Sequence, residues 1–148
     1  EHNNTIKQSQ QERNPTMANL KKYKPSSDQV VTMLKDEEGK ELMNEDGTQM
    51  SITRYLPHTK EYKKVRYDQQ ELMMSSVPSG EDINLSYFDM SELSIELMAN
   101  TIKEWDITWG DSDEKPDYTP ELAEEVLSLC EFFIPQLREA EEKSMDFI

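Results

Sequence analysis

Apolar residues recur every three or four positions through much of the second half of the chain, and this spacing predicts helices. The first run reaches a tryptophan-rich segment and comprises Met90, Leu93, Leu97, Met98, Ile102 and Trp105. Such spacing places side chains on one helical face, so one side of this helix is expected to be buried. Asp89, with Glu92 three residues later, predicts the N-terminal cap.

Residues 110–116 contain no apolar anchor and predict a solvent-exposed turn. Thr119 is a suitable N-cap for the next helix, and Pro120 suits its first position because the missing amide would have no partner there. The apolar stripe of this helix comprises Leu122, Val126, Leu129, Cys130 and Phe133. Pro135 should interrupt the stripe, and a final helix over about 136–147 should pack through Leu137, Ala140 and Phe147.

Strand signals dominate the segment from Gln29 to Tyr55. Val30–Leu34 favours an extended strand and is followed by a turn at Asp36–Gly39. Asp46–Gly47 marks a second turn, and Met50–Tyr55 alternates apolar and polar residues, as a half-buried strand does. Two or three antiparallel strands are therefore expected before the helices, and no internal repeat is evident.

Thr59 can cap a helix that carries the only strong basic cluster of the chain. The predicted apolar face of this helix comprises Tyr62, Val65, Gln69, Leu72 and Met73. The basic cluster comprises Lys60, Lys63, Lys64 and Arg66. Because a helix dipole disfavours cations near the N-terminus, the cluster is either a tolerated solvated face or a surface that contacts a partner.

The order of these elements predicts an α+β fold with a small N-terminal antiparallel β-hairpin or sheet, followed by about four α-helices. Residues 21–148 form the expected single domain, β-rich over 28–56 and helical over 59–148. Residues 1–20 are expected to be a disordered leader, since the first sixteen residues hold a single aliphatic side chain, Ile6. Met17 reads as a natural start, with an upstream extension before it.

Charge is distributed unevenly along the 148 residues, whose net charge is −15. Residues 1–80 hold 12 basic and 12 acidic side chains, whereas residues 81–148 hold 4 and 19 and account for the whole net charge. A negative field of this kind repels nucleic acid and anionic membrane and favours basic partners. A solvated acidic surface without a partner is the alternative interpretation.

Signatures of catalysis, cofactor binding and metal binding are absent from the sequence. His2 and His58 are far apart, Cys130 is the sole cysteine, and no phosphate-binding or nucleophile motif occurs. An EF-hand reading of the acidic turn fails, because Pro116 and Leu122 occupy the positions that need glycine and glutamate. We therefore expect no enzyme, with Cys130 as a buried thiol.

Trp105 and Trp109 are the remaining candidates for a binding surface. Together with Tyr118, Phe132 and Phe133 they could form an aromatic platform, although core packing is the favoured interpretation. No run of eighteen apolar residues and no secretory signal occurs, so a soluble intracellular protein is expected.

The order of the motifs resembles the tail assembly chaperones of long-tailed bacteriophages. The N-terminal match consists of the strand Val30–Leu34, Asp36–Gly39, Asp46–Gly47, the alternating strand from Met50 and the helix entry at 57–62. The C-terminal match consists of Ile102–Trp109, Lys115–Pro116, Thr119–Glu121 and Met145–Ile148. The resemblance covers about residues 21–148, and the strongly acidic C-terminal half and the leader depart from the family pattern.

The resemblance implies a binding role without catalysis in the host cell cytoplasm during virion assembly. Such chaperones coat the helical tape-measure protein, shield its apolar stripes and then give way to tail-tube subunits. The implied partners are thus the tape-measure and tail-tube proteins, with self-association as a further expectation and no nucleic acid or membrane. Two alternatives stay open: a structural virion protein, such as a tail terminator or head-tail joining component, and a small acidic regulator that occludes a basic partner surface.

Overall fold

The fold is taken from a computed structural model that describes residues 27–75, 90–111 and 114–145. Four sequence predictions lie outside these residues: the leader, the loop that begins at Val77, the cap at Asp89 and the packing of Phe147. The described residues form an α+β fold with an antiparallel sheet and four helices, as predicted.

The sheet has three strands in the order β1-β2-β3. They are β1 (Gln29–Met33), β2 (Ser51–Tyr55) and β3 (Ile102–Asp106). β2 is central and pairs antiparallel with both neighbours, with Thr32 opposite Ile52 and Ile52 opposite Trp105. The expectation that β2 is half-buried is wrong, because polar Thr53 and Arg54 are buried, as Ile52 is.

β3 lies where the apolar spacing predicted a helix, so the helical prediction for Ile102 and Trp105 is wrong. The helix α2 (Met90–Asn100) ends at Asn100, and the buried Thr101 joins it to the strand. Tyr55 N donates to Thr101 O at 2.9 Å, which begins the pairing of β3 with β2. The β-branched and aromatic residues after Asn100 suit a strand, and the open edge of β2 supplies the backbone partners.

The connection from β1 to β2 is an eight-residue repeat, contrary to the expectation of no repeat. Residues 34–41 and 42–49 each begin with leucine and contain an Asp or Asn, two acidic residues and a glycine in the same order. Asp36 N donates to Lys40 O at 2.8 Å, and Asn44 N donates to Thr48 O at 2.7 Å. Each unit is thus a tight turn closed by the same hydrogen bond, and we call the two units the turn repeat.

The remaining helices are α1 (Lys60–Ser75), α3 (Pro120–Leu129) and α4 (Phe133–Ser144). The predicted caps are confirmed: Thr59 Oγ1 accepts from Tyr62 N, and Thr119 Oγ1 accepts from Leu122 N, both at 3.2 Å. Pro120 occupies the first turn of α3, as predicted.

The predicted break at Pro135 is wrong. α3 ends at Leu129, and Pro135 lies in the first turn of α4, where a missing backbone N–H leaves no helical bond unmade. The end of the predicted last helix, at Phe147, lies outside the described residues.

The core lies between the sheet and the helices α2, α3 and α4. Its buried members are Leu34, Ile52, Met98, Ala99, Ile102, Ile107, Ala123, Val126, Leu127, Phe133 and Leu137. Three residues of the predicted apolar faces are instead exposed, Leu72 by 60%, Met90 by 55% and Leu129 by 68%, and α1 buries only Tyr62. No helix in the described ranges is long and apolar enough to cross a membrane.

Candidate partner-binding groove

The predicted basic cluster lies on the exposed surface of α1. Its members are Lys60, Lys63, Lys64 and Arg66, all of which are exposed. Two of the four are engaged within the helix: Lys64 pairs with Asp68 at 2.7 Å, and the Arg66 guanidinium lies 5.0 Å from the centre of the Tyr62 ring. Within the part of the chain that is described, no hydrogen bond or ion pair links this cluster to Trp105 or Trp109.

Trp105 is a packing residue of β3. Its Nε1–H donates to Pro116 O at 2.9 Å, and its ring meets the ring of Tyr118 edge-on at 5.5 Å. The Tyr118 hydroxyl donates to Ala99 O at 2.6 Å. Trp105 therefore holds the loop before α3 against β3 and the end of α2, which leaves its indole N–H satisfied within the chain.

Trp109 instead lines an apolar groove with a volume of about 240 Å³. Nine residues form the walls: Leu42, Met50, Ile107, Thr108, Trp109, Val126, Cys130, Phe132 and Phe133. Three segments that are distant in sequence supply them, namely the turn repeat, the chain after β3 and the junction of α3 with α4. We call this surface the apolar groove.

Each wall of the apolar groove is held by a local feature of the sequence. The turn repeat places Leu42 and Met50 together, since Met50 N donates to Leu42 O at 2.8 Å. Trp109 N donates to Glu114 O at 3.2 Å, which fixes the segment after β3. The rings of Phe132 and Phe133 meet at 4.7 Å, so the helix junction presents an aromatic wall.

A polar network centred on Lys115 ties the turn repeat to β3 beside the groove. The Lys115 ammonium donates to the carboxylates of Asp46 and, at 2.9 Å, Asp106. Asn44 Nδ2 donates to Asp106 Oδ1 at 3.2 Å, and Thr108 Oγ1 donates to Asn44 Oδ1 at 2.7 Å. Hydrogen bonds from Lys115 and from a neighbouring threonine hold the pKa of Asp46 well below its usual range.

Cys130 and the nearby Glu37 determine the chemical character of one wall of the apolar groove. Burial raises the pKa of Cys130, and the negative charge of Glu37 raises it further, which places Glu37 near the groove wall. Cys130 is half-buried, although full burial was expected, and its thiol stays protonated near neutral pH. The groove thus offers an apolar floor with one acidic side chain, Glu37, nearby, and its thiol is not activated as a nucleophile.

Metal-binding groups are not assembled in the described part of the chain. No cluster of three His, Cys, Asp or Glu side chains occurs within residues 27–75, 90–111 and 114–145. Asp111 and Asp117 of the acidic turn are exposed, and Asp113 lies outside the described residues.

The groove residues that the sequence predictions missed are chiefly Leu42 and Met50. The repeated Leu-x-Asx pattern at 34–36 and 42–44 was the available signal for Leu42, because residues at equal places in a repeat take equal places in the structure. Three members of the candidate aromatic platform, Trp109, Phe132 and Phe133, meet in the groove, whereas Trp105 and Tyr118 pack against each other elsewhere.

Comparisons with known proteins gave no match for this chain. The chain matches no protein-family model, no curated protein and no solved structure.

Proposed function

We propose that this chain is a non-enzymatic binding protein that holds an amphipathic, basic helical segment of a partner in the apolar groove. The observation that carries the proposal is the groove itself, a concave apolar surface lined by the partly exposed Trp109, with Glu37 close enough to Cys130 to raise the pKa of its thiol. Apolar helix faces dock in grooves of this kind, and basic residues beside the apolar stripe would be attracted by the net charge of −15 of this chain.

The size of the groove favours a side chain over a small-molecule ligand. Its volume of about 240 Å³ lies below the roughly 300–1,000 Å³ that is typical of ligand and cofactor pockets. Thr108 supplies the only side-chain hydroxyl of the walls, so few polar groups converge there to orient a ligand. One or two apolar side chains of a helix fit this space and chemistry.

The resemblance to phage tail assembly chaperones supplies the physiological setting of the proposal. In that setting the helical partner is the tape-measure protein, the tail-tube protein is the later partner, and the binding takes place in the host cell cytoplasm. The net charge of −15 supports this role, because a strongly charged coat keeps an apolar helix dispersed.

Co-expression with the tape-measure protein from the same genome tests the proposal. We expect a stable complex, and Trp109→Ser should weaken it about tenfold or more, as loss of a buried aromatic anchor does. Leu129→Ser is the matched control, because Leu129 is 68% exposed on α3 and does not line the groove. A Trp105→Phe background leaves Trp109 as the single tryptophan, whose emission should shift to the blue on binding.

Two outcomes would contradict the proposal. Equal binding by the Trp109→Ser and Leu129→Ser variants would show that the apolar groove is not the binding site. A chain that stays free of the tape-measure protein, but is found in mature particles by mass spectrometry, would instead be a structural virion component such as a tail terminator or head-tail joining protein.

A second candidate function, a small acidic regulator, is favoured by the surface between α2 and α3. Glu96 and Glu124 share a shallow groove there with Ile95, and burial together with the charge of Glu96 raises the pKa of Glu124. Two carboxylates that repel each other favour a cation between them. If Glu124→Gln weakens binding of a basic partner while Trp109→Ser does not, the regulator is the better description.

A further inference from the structure

The outer edge of β1 exposes the backbone groups of two residues. Just before β1, Asp28 O accepts a hydrogen bond from Leu56 N at 2.9 Å. In this register the residues at even positions of β1 form the backbone hydrogen bonds to β2. Because bonding directions alternate along an antiparallel strand, the N–H and C=O groups of Val31 and Met33 point away from β2. Within the described residues nothing bonds to these four groups, and the two side chains are exposed by 50% and 47%.

Side chains close this open edge at both ends. Ser27 Oγ donates to Gln29 O at 2.9 Å and accepts from Gln29 N at 3.2 Å. At the other end, the Gln136 amide accepts from Lys35 N and donates to Lys35 O, both at 2.9 Å. The outward groups of Gln29 and Lys35 are thus satisfied within the chain, and an open stretch of two residues remains between them.

A groove with a volume of about 250 Å³ runs beside the open edge, between β1 and α4. Gln136 lies near the start of α4 and contacts Lys35 at one end of the groove. Lys143 lies about 10 Å further along α4, toward the opposite end of the groove. Glu139 pairs with Lys143 at 2.9 Å. Two lysines and one glutamate line the groove, which makes it locally positive in an otherwise acidic protein.

We propose that an extended segment of a partner protein, with acidic side chains at its ends, binds as an additional strand at the outer edge of β1. Open strand edges recruit extended peptides through main-chain hydrogen bonds, and flanking side chains select the sequence. Val31 and Met33 supply two donors and two acceptors, and Lys35 and Lys143 attract carboxylates at the two ends of the groove.

A second copy of this chain fits the edge less well. It would bring another net charge of −15, and like charges oppose association. It would also bring its own α4 alongside β1, whereas a bare extended segment requires only the space between β1 and α4. This inference is independent of the apolar groove, because the two grooves have no lining residue in common.

Nuclear magnetic resonance of the ¹⁵N-labelled chain tests the proposal with the blocked peptide Asp-Val-Thr-Val-Asp as the probe. The amide protons of Val31 and Met33 should move downfield and exchange more slowly with solvent, as newly bonded amides do. Met33→Pro removes one outward N–H and should weaken binding about tenfold, whereas Met33→Thr keeps the N–H and is the matched control. The peptide Lys-Val-Thr-Val-Lys should also bind about tenfold more weakly, because the groove is positive.

Three results would overturn the proposal. The first is unchanged resonances of Val31 and Met33 at millimolar peptide. The second is equal binding of the acidic and basic peptides. The third is a concentration-dependent dimer that Met33→Pro abolishes, which would make a second copy the occupant. Trp109→Ser should leave the peptide-induced shifts unchanged. The experiment therefore tests binding at β1 separately from the proposed binding in the apolar groove.

Discussion

Arg54 is a fully buried cation in the central strand, and its partners come from the junction between α2 and β3 and from α4. Its Nε and Nη2 atoms donate to Thr101 Oγ1 at 3.3 and 3.0 Å, and its Nη1 atom lies 3.4 Å from Glu141 Oε1. That last contact is an ion pair without a well-directed hydrogen bond. The charge of Glu141 is thus the main compensation for the buried guanidinium, and it links α4 to the sheet.

The loss of Glu141 should therefore destabilise the fold strongly. Glu141→Ala leaves Arg54 buried without a counter-charge, which should lower the free energy of unfolding by about 3 kcal/mol. Urea denaturation measures the loss. In an Arg54→Met background the same substitution should cost much less, since no buried charge remains. An equal cost in both backgrounds would show that Glu141 acts through packing alone.

The turn repeat shows at the level of an element how glycine determines a backbone path. Gly39 and Gly47 have φ angles of +87° and +90°, a region that L-residues rarely adopt, and a Cβ atom at either position would meet nothing within 4 Å. The cost of a side chain there is backbone strain without a steric clash.

Because the two turns are equivalent, equal substitutions should have equal effects. Gly39→Ala and Gly47→Ala should each lower the free energy of unfolding by about 1 kcal/mol, and the corresponding asparagine variants by less, since asparagine tolerates positive φ. Thermal and urea unfolding of the four variants measure this. If only one of the two alanine substitutions lowers the free energy of unfolding, the two turns are not structurally equivalent.

The elements that could be predicted from the sequence are those marked by capping and turn residues. Thr59, Thr119 and Pro120 act within one helical turn, and the turn glycines act within their own turns, so each signal is complete where it occurs. β3 was missed because Ile102 and Trp105 continue the helical spacing of α2, while the strand depends on the distant edge of β2. The apolar groove could be predicted only in part, because Trp109, Phe132 and Phe133 stand out in the sequence as aromatic residues, whereas Leu42 and Met50 reach the groove only through the fold.

At the scale of the whole molecule, basic side chains are few in the acidic C-terminal half, so each one affects the net charge as well as its own ion pairs. Residues 81–148 hold 4 basic side chains against 19 acidic ones, and Lys115 is one of the four. Its ammonium joins Asp46 of the turn repeat to Asp106 of β3, and these carboxylates raise its pKa. A substitution at this position removes two attractions and also increases the net negative charge.

The stabilising effect of Lys115 should consequently depend on pH in a bell-shaped manner. The pKa of Asp46 is lowered in the folded chain, so its contribution is present above the ordinary value of 3.8 and is lost as the pH falls through the folded value. The pKa of Lys115 is raised, so its contribution is present below 10.5 and is lost as the pH rises through the folded value.

The stability difference between the wild type and Lys115→Met should therefore be largest between about pH 5 and 9. Urea denaturation from about pH 2 to pH 11 measures it, with Lys115→Arg as the charge-retaining control. A difference that is flat over that whole range would mean that Lys115 contributes through its aliphatic chain rather than through its charge.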